Sequence, residues 1–414
     1  MSQAAPATNP VSLRQDARVI AVVGVAHGVS HFYHLILAAL FVWLKPAFSL
    51  SYAELGLLMS VFFVVSGTGQ ALAGFLVDRV GALRVLYGGM ALLGVSALVL
   101  SSAASYTALL CGSMLAGLGN AIFHPVDFTL LNQRVSKARL AHAFSVHGVS
   151  GQLGWAAAPA FLAGIASISG WRSALVAAAA IPFAVLALLY FNRHVLYADP
   201  IEKPAEGHKG AGGQGAGSLD FLRSRAVWMC FAFFLLTSVA LGGIQSFSAT
   251  TLIALYNVSL ASATTGYTAF MLASACGMVV GGFMAARTLN HDRTIACAFG
   301  AAAAMAVLLS LSLVPGWMAI VLMGAIGFSS GIAGPSRDLL IRAAAPKNAT
   351  GRVFGVVYSG LDLGMTLGPL LFGALLDGHR PSWVFLCVAL FQALAIATAV
   401  GVGEGNRAPA LQKA

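Results

Sequence analysis

The chain has 414 residues, 59% of them hydrophobic and only 9% charged, with a formal charge of +10 and a mean hydropathy of +0.86. Soluble domains carry about 25% charged residues, so this composition excludes an ordinary soluble fold. The positive charge does not argue for nucleic acid either, because the basic residues are scattered between apolar runs, where membrane topology accounts for them.

Residues 1–17 are polar, and with no cleavage-type site after the first apolar run no cleavable signal peptide is expected. Runs long enough to cross a hydrocarbon core of ~30 Å follow at 18–44, 54–77, 84–103, 106–131, 141–166 and 171–191. Six more lie at 226–253, 263–286, 294–314, 317–341, 352–376 and 383–403. Between the two sets, 192–225 is rich in Gly, Ala and charge, the composition of a flexible linker. The expectation is an all-α membrane protein with twelve transmembrane helices in two six-helix bundles, 1–191 and 226–414, joined by the 192–225 linker.

An internal repeat supports that division. The segment 117–164 recurs at an offset of 210 residues without a gap, pairing Gly117 with Gly327, Pro125 with Pro335, Phe144 with Phe354, Gly154 with Gly364 and Pro159 with Pro369. Gly56 pairs with Gly266 at the same offset. Gly and Pro govern close packing and backbone geometry, so a shared register of both marks two copies of one unit. The copies differ in their chemistry: Asp127 stands opposite Arg337, His124 opposite Gly334, and Gln152 opposite Asp362.

The basic residues orient the chain. With the N-terminus in the cytoplasm, the outer segments hold only Lys45, Arg172 and Arg380, while nineteen of the other Lys and Arg fall at the cytoplasmic side and Arg337 lies within a helix. Both termini and the linker are therefore expected in the cytoplasm. The five cysteines sit in apolar segments without a C-x-x-C pair, so they read as small buried hydrophobes with no disulfide or metal role.

Several polar residues inside the spans are candidates for function, because intramembrane ionisable groups are costly unless they face protein or water. His27, His31 and His34 share one face of the first helix at 3.6 residues per turn, which suits an anion or proton site and equally suits interhelical hydrogen bonding. Metal binding is disfavoured there, with no Cys or carboxylate beside them in sequence. Asp127 lies ~8 Å from the cytoplasmic end of its helix and Arg337 at the same depth by the repeat, while Asp362 lies ~15 Å deep, near the midplane. A carboxylate at the midplane is costly when ionised, so Asp362 is a candidate for binding and releasing a proton as access alternates. Permanent pairing with a neighbour is the plainer alternative.

Gly74, Asp78, Arg79 and Gly81, followed by Arg84, resemble the loop signature of the major facilitator superfamily, although Ala82 and Leu83 replace basic residues that usually follow. With the two six-helix halves, the resemblance covers the whole chain. It implies conformational roles for Gly74, Asp78, Arg79, Gly81 and Arg84. Gly148, Gly151, Gly154 and Pro159 resemble the glycine-rich motif of proton-coupled exporters in that superfamily, with Ala158 departing from it; helix packing alone would also use such residues. FHPVD, with a His in the first helix, looks like the fosmidomycin-resistance branch, although Asp127 stands one place late and His34 and Leu35 replace an Asn-Asp pair.

The resemblance implies that helices 1, 4, 7 and 10 line a central cavity, which places His31, His34, His124, Asp127, Gln245 and Arg337 near substrate. The reading that follows is proton-coupled export of a small organic compound, anionic if the histidines and Arg337 face it, across a bacterial inner membrane, with Asp362 and Asp127 as proton carriers and Gly154 and Pro159 among the gating residues. Proton-linked uptake of an organic anion is the alternative. A polytopic membrane enzyme is disfavoured, since His124 and Asp127 bring no nucleophile or metal set with them in sequence. Asp127 and Arg337 are expected to approach as the cytoplasmic side closes. No cofactor, metal or nucleic-acid partner is expected, and the chain is expected to act as a monomer in the bilayer.

Overall fold

A computed structural model describes residues 12–197, 223–288, 290–344 and 350–411. The chain termini and most of the 192–225 linker, on which the cytoplasmic orientation was argued, lie outside the described residues. The described residues form no strand. Their helices are α1 (Leu13–His34), a 3-10 turn (Ala38–Leu40), α2 (Phe41–Ala47), α3 (Tyr52–Val80), α4 (Ala82–Ser101), α5 (Tyr106–Asn120), α6 (Phe123–Arg134) and α7 (Leu140–Phe191). After the short α8 (Arg193–Leu196) come α9 (Arg225–Tyr256), α10 (Leu260–Ala285), α11 (His291–Ser310), α12 (Gly316–Ala344), α13 (Thr350–Asp377) and α14 (Pro381–Leu411).

Ten helical stretches are long and apolar enough to cross a membrane, and the bent pair α1 plus 38–47 makes an eleventh. The twelfth comes from α7, whose 52 residues are interrupted at Gly170 (φ 82°, ψ 162°). Only Gly enters that φ region at no steric cost, so 140–169 and 171–191 are two spans joined by one residue. Two expected spans prove discontinuous. The first bends by 48° between α1 and 38–47. The fourth breaks at Ala121–Ile122, just ahead of Pro125, which has no N–H to continue the helical ladder. The surface is apolar at Leu72, Phe75, Phe283, Leu313 and Leu390, as lipid contact requires and a soluble exterior does not. Cys111, Cys276 and Cys297 are on the exposed surface, contrary to the expectation that all five cysteines are buried, and all five are free thiols. A small apolar side chain is as acceptable against lipid as inside a bundle, so hydropathy could not separate the two.

The 210-residue repeat is visible in the packing. Gly154 of α7 lies so close to Gly28 of α1 that a Cβ would overlap the Gly28 carbonyl, and a Cβ on Gly364 of α13 would overlap Leu235 and Ser238 of α9. Both members of each pair are 210 residues apart (154/364 and 28/238), so one helix–helix crossing is built twice. The bundles then meet along two seams, α3 against α13 and α7 against α10. These are again counterparts, since the repeat carries α3 onto α10 and the first half of α7 onto α13.

The seams are tight at the end carrying the 48–51 and 102–105 turns. A Cβ on Gly56 would overlap the Pro369 carbonyl, and one on Gly373 would overlap that of Tyr52. Ser60 Oγ donates to the Thr366 carbonyl at 2.6 Å, and Thr268 Oγ1 donates across the other seam to the Ala156 carbonyl at 3.4 Å. Further along α3, Gly67 still packs on the Asp362 side chain, but a Cβ on Gly74, two turns on, would meet no described atom within 4 Å. The molecule is thus closed at the end carrying the 48–51 and 102–105 turns. The three sparse basic residues of the closed end each lie over an aromatic ring: Lys45 over Tyr52 at 4.4 Å, Arg172 over Trp171 at 4.0 Å and Arg380 over Trp383 at 5.6 Å. Such cation–aromatic pairs suit a membrane interface, where one side is apolar and the other wet.

Candidate functional site

Between the bundles lies a cavity of about 350 Å³, within the size range of small-molecule sites. Its two walls differ in chemistry. The first bundle supplies His27, His31, His124, His147, Gln152 and Trp155. The second supplies Phe234, Phe270, Met271 and Met278, small hydroxyls such as Thr237 and Ser274, and the cation Arg337. Among the described residues, no carboxylate lines the cavity.

The imidazoles are organised by Asp127, which is fully enclosed. Its Oδ2 lies 3.0 Å from His27 Nδ1 and 3.1 Å from His147 Nε2. As carboxylate oxygen it accepts, so each ring presents an N–H to it and the tautomers of both neutral rings are thereby set. Those two rings stack at 3.5 Å between centroids. His27 also neighbours His31 at 4.5 Å and His124 at 5.4 Å, and His31 stacks on His34 at 4.8 Å. His34 stands behind this layer, its Nδ1 accepting from Trp155 Nε1 at 3.2 Å. Gly151 allows His31 to lie where it does, because a Cβ there would run into the imidazole. The helix break at 121–122 lets α6 start a new helical turn, placing His124 and Asp127 against α1.

The other expected site residues are distributed differently. Arg337 lines the cavity and packs over the Phe234 ring at 4.8 Å. Asp127 carries two imidazoles on one oxygen, so an approach by Arg337 would have to join or displace them. Gln245 is buried in a separate small cavity near the closed end, with Leu35, Pro159, Thr264 and Tyr267. It is not in the wall of the main cavity, to which α9 contributes residues up to Ile244. Pro159 shares that smaller cavity. Asp362 faces Gly67 across the α3–α13 seam, half-buried, and no hydrogen-bonding or ionic partner for its carboxylate lies among the described residues. Its repeat counterpart Gln152 occupies the corresponding place on the other seam, its amide 3.7 Å from Met278 Sδ.

Asp78, Arg79 and Arg84 are exposed around Gly81, whose φ of 93° makes the turn. A Cβ on Gly74 would meet no described atom within 4 Å. His147 was absent from the sequence-based site. Its signal was present, since a histidine in an apolar helix needs a partner, but the surrounding Gly148, Gly151 and Gly154 drew attention to packing. Two groups of side chains bring their ligand atoms within 4.8 Å of one another, His27 with His31 and His124, and His27 with Asp127 and His147. The carboxylate that sequence spacing denied to the first-helix histidines is supplied from a hundred residues away.

Comparison with known proteins places this arrangement in a family. A family model described as Major Facilitator Superfamily matches residues 23–357 and 246–411. Among named proteins, the chain is 27% identical over 175 residues to the uncharacterized MFS-type transporter YfnC of Bacillus subtilis (strain 168), covering 42% of each chain. It is 24% identical over 156 residues to the fosmidomycin resistance protein of Escherichia coli (strain K12), covering 38% of each. The aligned parts thus span about two fifths of those relatives' length. In fold the chain is similar to a bacterial homolog of the human lysosomal transporter Spinster, solved inward-facing and occupied, with a TM-score of 0.74, 16% identity and coverage of 95% of this chain and 98% of that one. The unoccupied inward-facing structure of a bacterial Spinster homolog gives 0.70 at 15% identity, covering 95% and 97%. The chain is a multi-pass membrane protein of the major facilitator superfamily.

Proposed function

We propose that the protein is a proton-coupled exporter of a small organic anion, working by alternating access in a bacterial inner membrane with both termini in the cytoplasm. The family is one of small-molecule transporters, and the observation that carries the finer reading is the makeup of the cavity wall. Arg337 supplies a permanent positive charge, four imidazoles supply polar contacts, and among the described residues no carboxylate in the wall opposes an anionic group. Trp155, Phe128, Phe234 and Phe270 supply flat apolar surface for the rest of the molecule.

Coupling falls to Asp362. Its carboxylate lies at the seam where the bundles touch, without a partner among the described residues. A group whose surroundings change as the seam opens and closes can take a proton from one side and release it to the other. Asp127, held by two histidines and shielded on every side, is better placed to organise the cavity wall. Asp78, Arg79 and Arg84 surround the Gly81 turn at the other end of α3, and their role is to hold that end closed in the alternate state. The compound is found by a thermal-shift screen of organic anions on purified protein, followed by flux of the hits in proteoliposomes under an imposed ΔpH. Export is supported by substrate leaving against its gradient in exchange for entering protons. Substrate and protons moving the same way would replace it with uptake.

A further inference from the structure

We propose that His27, His31 and His124 form a binding site for a borderline divalent metal ion, of the Zn²⁺, Ni²⁺ and Co²⁺ class, in the cavity wall. The three rings come from two helices: His27 and His31 are one turn apart on α1, and His124 is near the start of α6. Their ligand nitrogens lie within 4.8 Å of one another. A tetrahedral ion with metal–nitrogen distances of about 2.0–2.1 Å holds its ligands roughly 3.3 Å apart, so small rotations of the rings close the set. All three residues line the cavity, which supplies an entry path and leaves the fourth coordination position open.

Two further observations point to a metal and not merely to a cluster of aromatic rings. Asp127 Oδ2 accepts from His27 Nδ1 at 3.0 Å, which leaves His27 Nε2 as its lone-pair nitrogen. A carboxylate behind a histidine is the arrangement that orients and strengthens an imidazole ligand. His31 Nδ1 is enclosed and has no hydrogen-bond partner, although a buried ring nitrogen without one is costly. A metal bound through that nitrogen would satisfy it. His147 on the same Asp127 oxygen at 3.1 Å braces the carboxylate from the other side. Imidazole nitrogen suits Zn²⁺, Ni²⁺ and Co²⁺, whereas Mg²⁺ and Ca²⁺ need several oxygen ligands that these three rings do not provide. The site does not depend on which compound is exported or on Asp362.

The test uses full-length protein purified without a polyhistidine tag. Titration with Co²⁺ should give the visible absorption of a four-coordinate nitrogen-ligated ion, and dialysis against Zn²⁺ should load one ion per chain that excess Mg²⁺ does not displace. His31→Gln and His124→Gln should each weaken binding at least about tenfold, and Asp127→Asn about 10–100-fold. His142→Gln, at an exposed position on α7, should change nothing. Unbound wild-type protein, or a His31→Gln/His124→Gln double variant that keeps stoichiometry and spectrum, overturns the proposal. A second measurement needs no variant: Zn²⁺ should protect His31 and His124 of the wild-type protein from acylation by diethyl pyrocarbonate, while His142 stays reactive. Labelling of His31 and His124 that Zn²⁺ leaves unchanged overturns it equally.

Discussion

The Asp377 carboxylate, at the end of α13 in the second bundle, caps the start of α3 in the first: its Oδ1 accepts from the Tyr52 N–H at 2.7 Å. Its Oδ2 takes the next N–H, that of Ala53, at 2.8 Å. Ser51 and Glu54 form a reciprocal capping box at the same helix start, so every donor from Ser51 to Glu54 is satisfied, two of them by the opposite bundle. Negative charge at a helix N-terminus is favourable, and here the interaction exists only while this end is closed. In the alternating access proposed above, Asp377 would act as a latch on this end.

Asp377→Ala should shift the balance toward the state open at that end. A lost cap costs ~1 kcal/mol, which is about a fivefold change in a two-state ratio. A cysteine introduced at Ala249, which lines the small cavity at the closed end, in a protein freed of its own cysteines, should be alkylated correspondingly faster. An unchanged rate would remove Asp377 from the latch.

The glycines of α7 and α13 should divide by what lies opposite them. Gly154→Ala would drive its methyl into the Gly28 backbone, and Gly364→Ala would meet Leu235 and Ser238. Each should destabilise by about 1–3 kcal/mol. Gly148→Ala meets open space and should leave the melting temperature in detergent unchanged. Equal effects at Gly148 and Gly154 would mean that close approach of α1 and α7 is not what Gly154 serves.

Asp362→Asn keeps the shape of the side chain and removes its capacity to carry a proton. Counterflow exchange of substrate should survive while accumulation driven by ΔpH is abolished. A variant that still concentrates substrate in response to ΔpH would move coupling away from the α3–α13 seam.

Arg337→Gln should weaken binding of organic anions by roughly tenfold or more, since one charge-assisted hydrogen bond contributes about 1.5–3 kcal/mol. Arg337→Lys should recover only part, because an ammonium lacks the planar fork of the guanidinium. Neutral analogues of the same shape should be insensitive to both changes, and this contrast is read by titration calorimetry. Equal losses for neutral and anionic analogues would assign Arg337 to packing over Phe234 alone.

Sequence alone was sufficient for the twelve spans, the two-bundle division and the repeat, because hydrophobic run length and Gly/Pro register are properties of contiguous residues and the bilayer imposes one length scale on all of them. It also identified His31, His124 and Arg337, all of which line the cavity, because ionisable groups are rare in such helices. What it did not contain was the rotation of each helix about its axis, which is settled by packing against neighbours distant in sequence. Only the tertiary structure put Gln245 in a separate cavity, and only the break at 121–122 turned His124 and Asp127 toward α1. Asp127 meets its partners from 100 and 20 residues away, and Asp362 faces Gly67 from the other bundle. Those distances are bridged by helix packing, to which no local pattern corresponds.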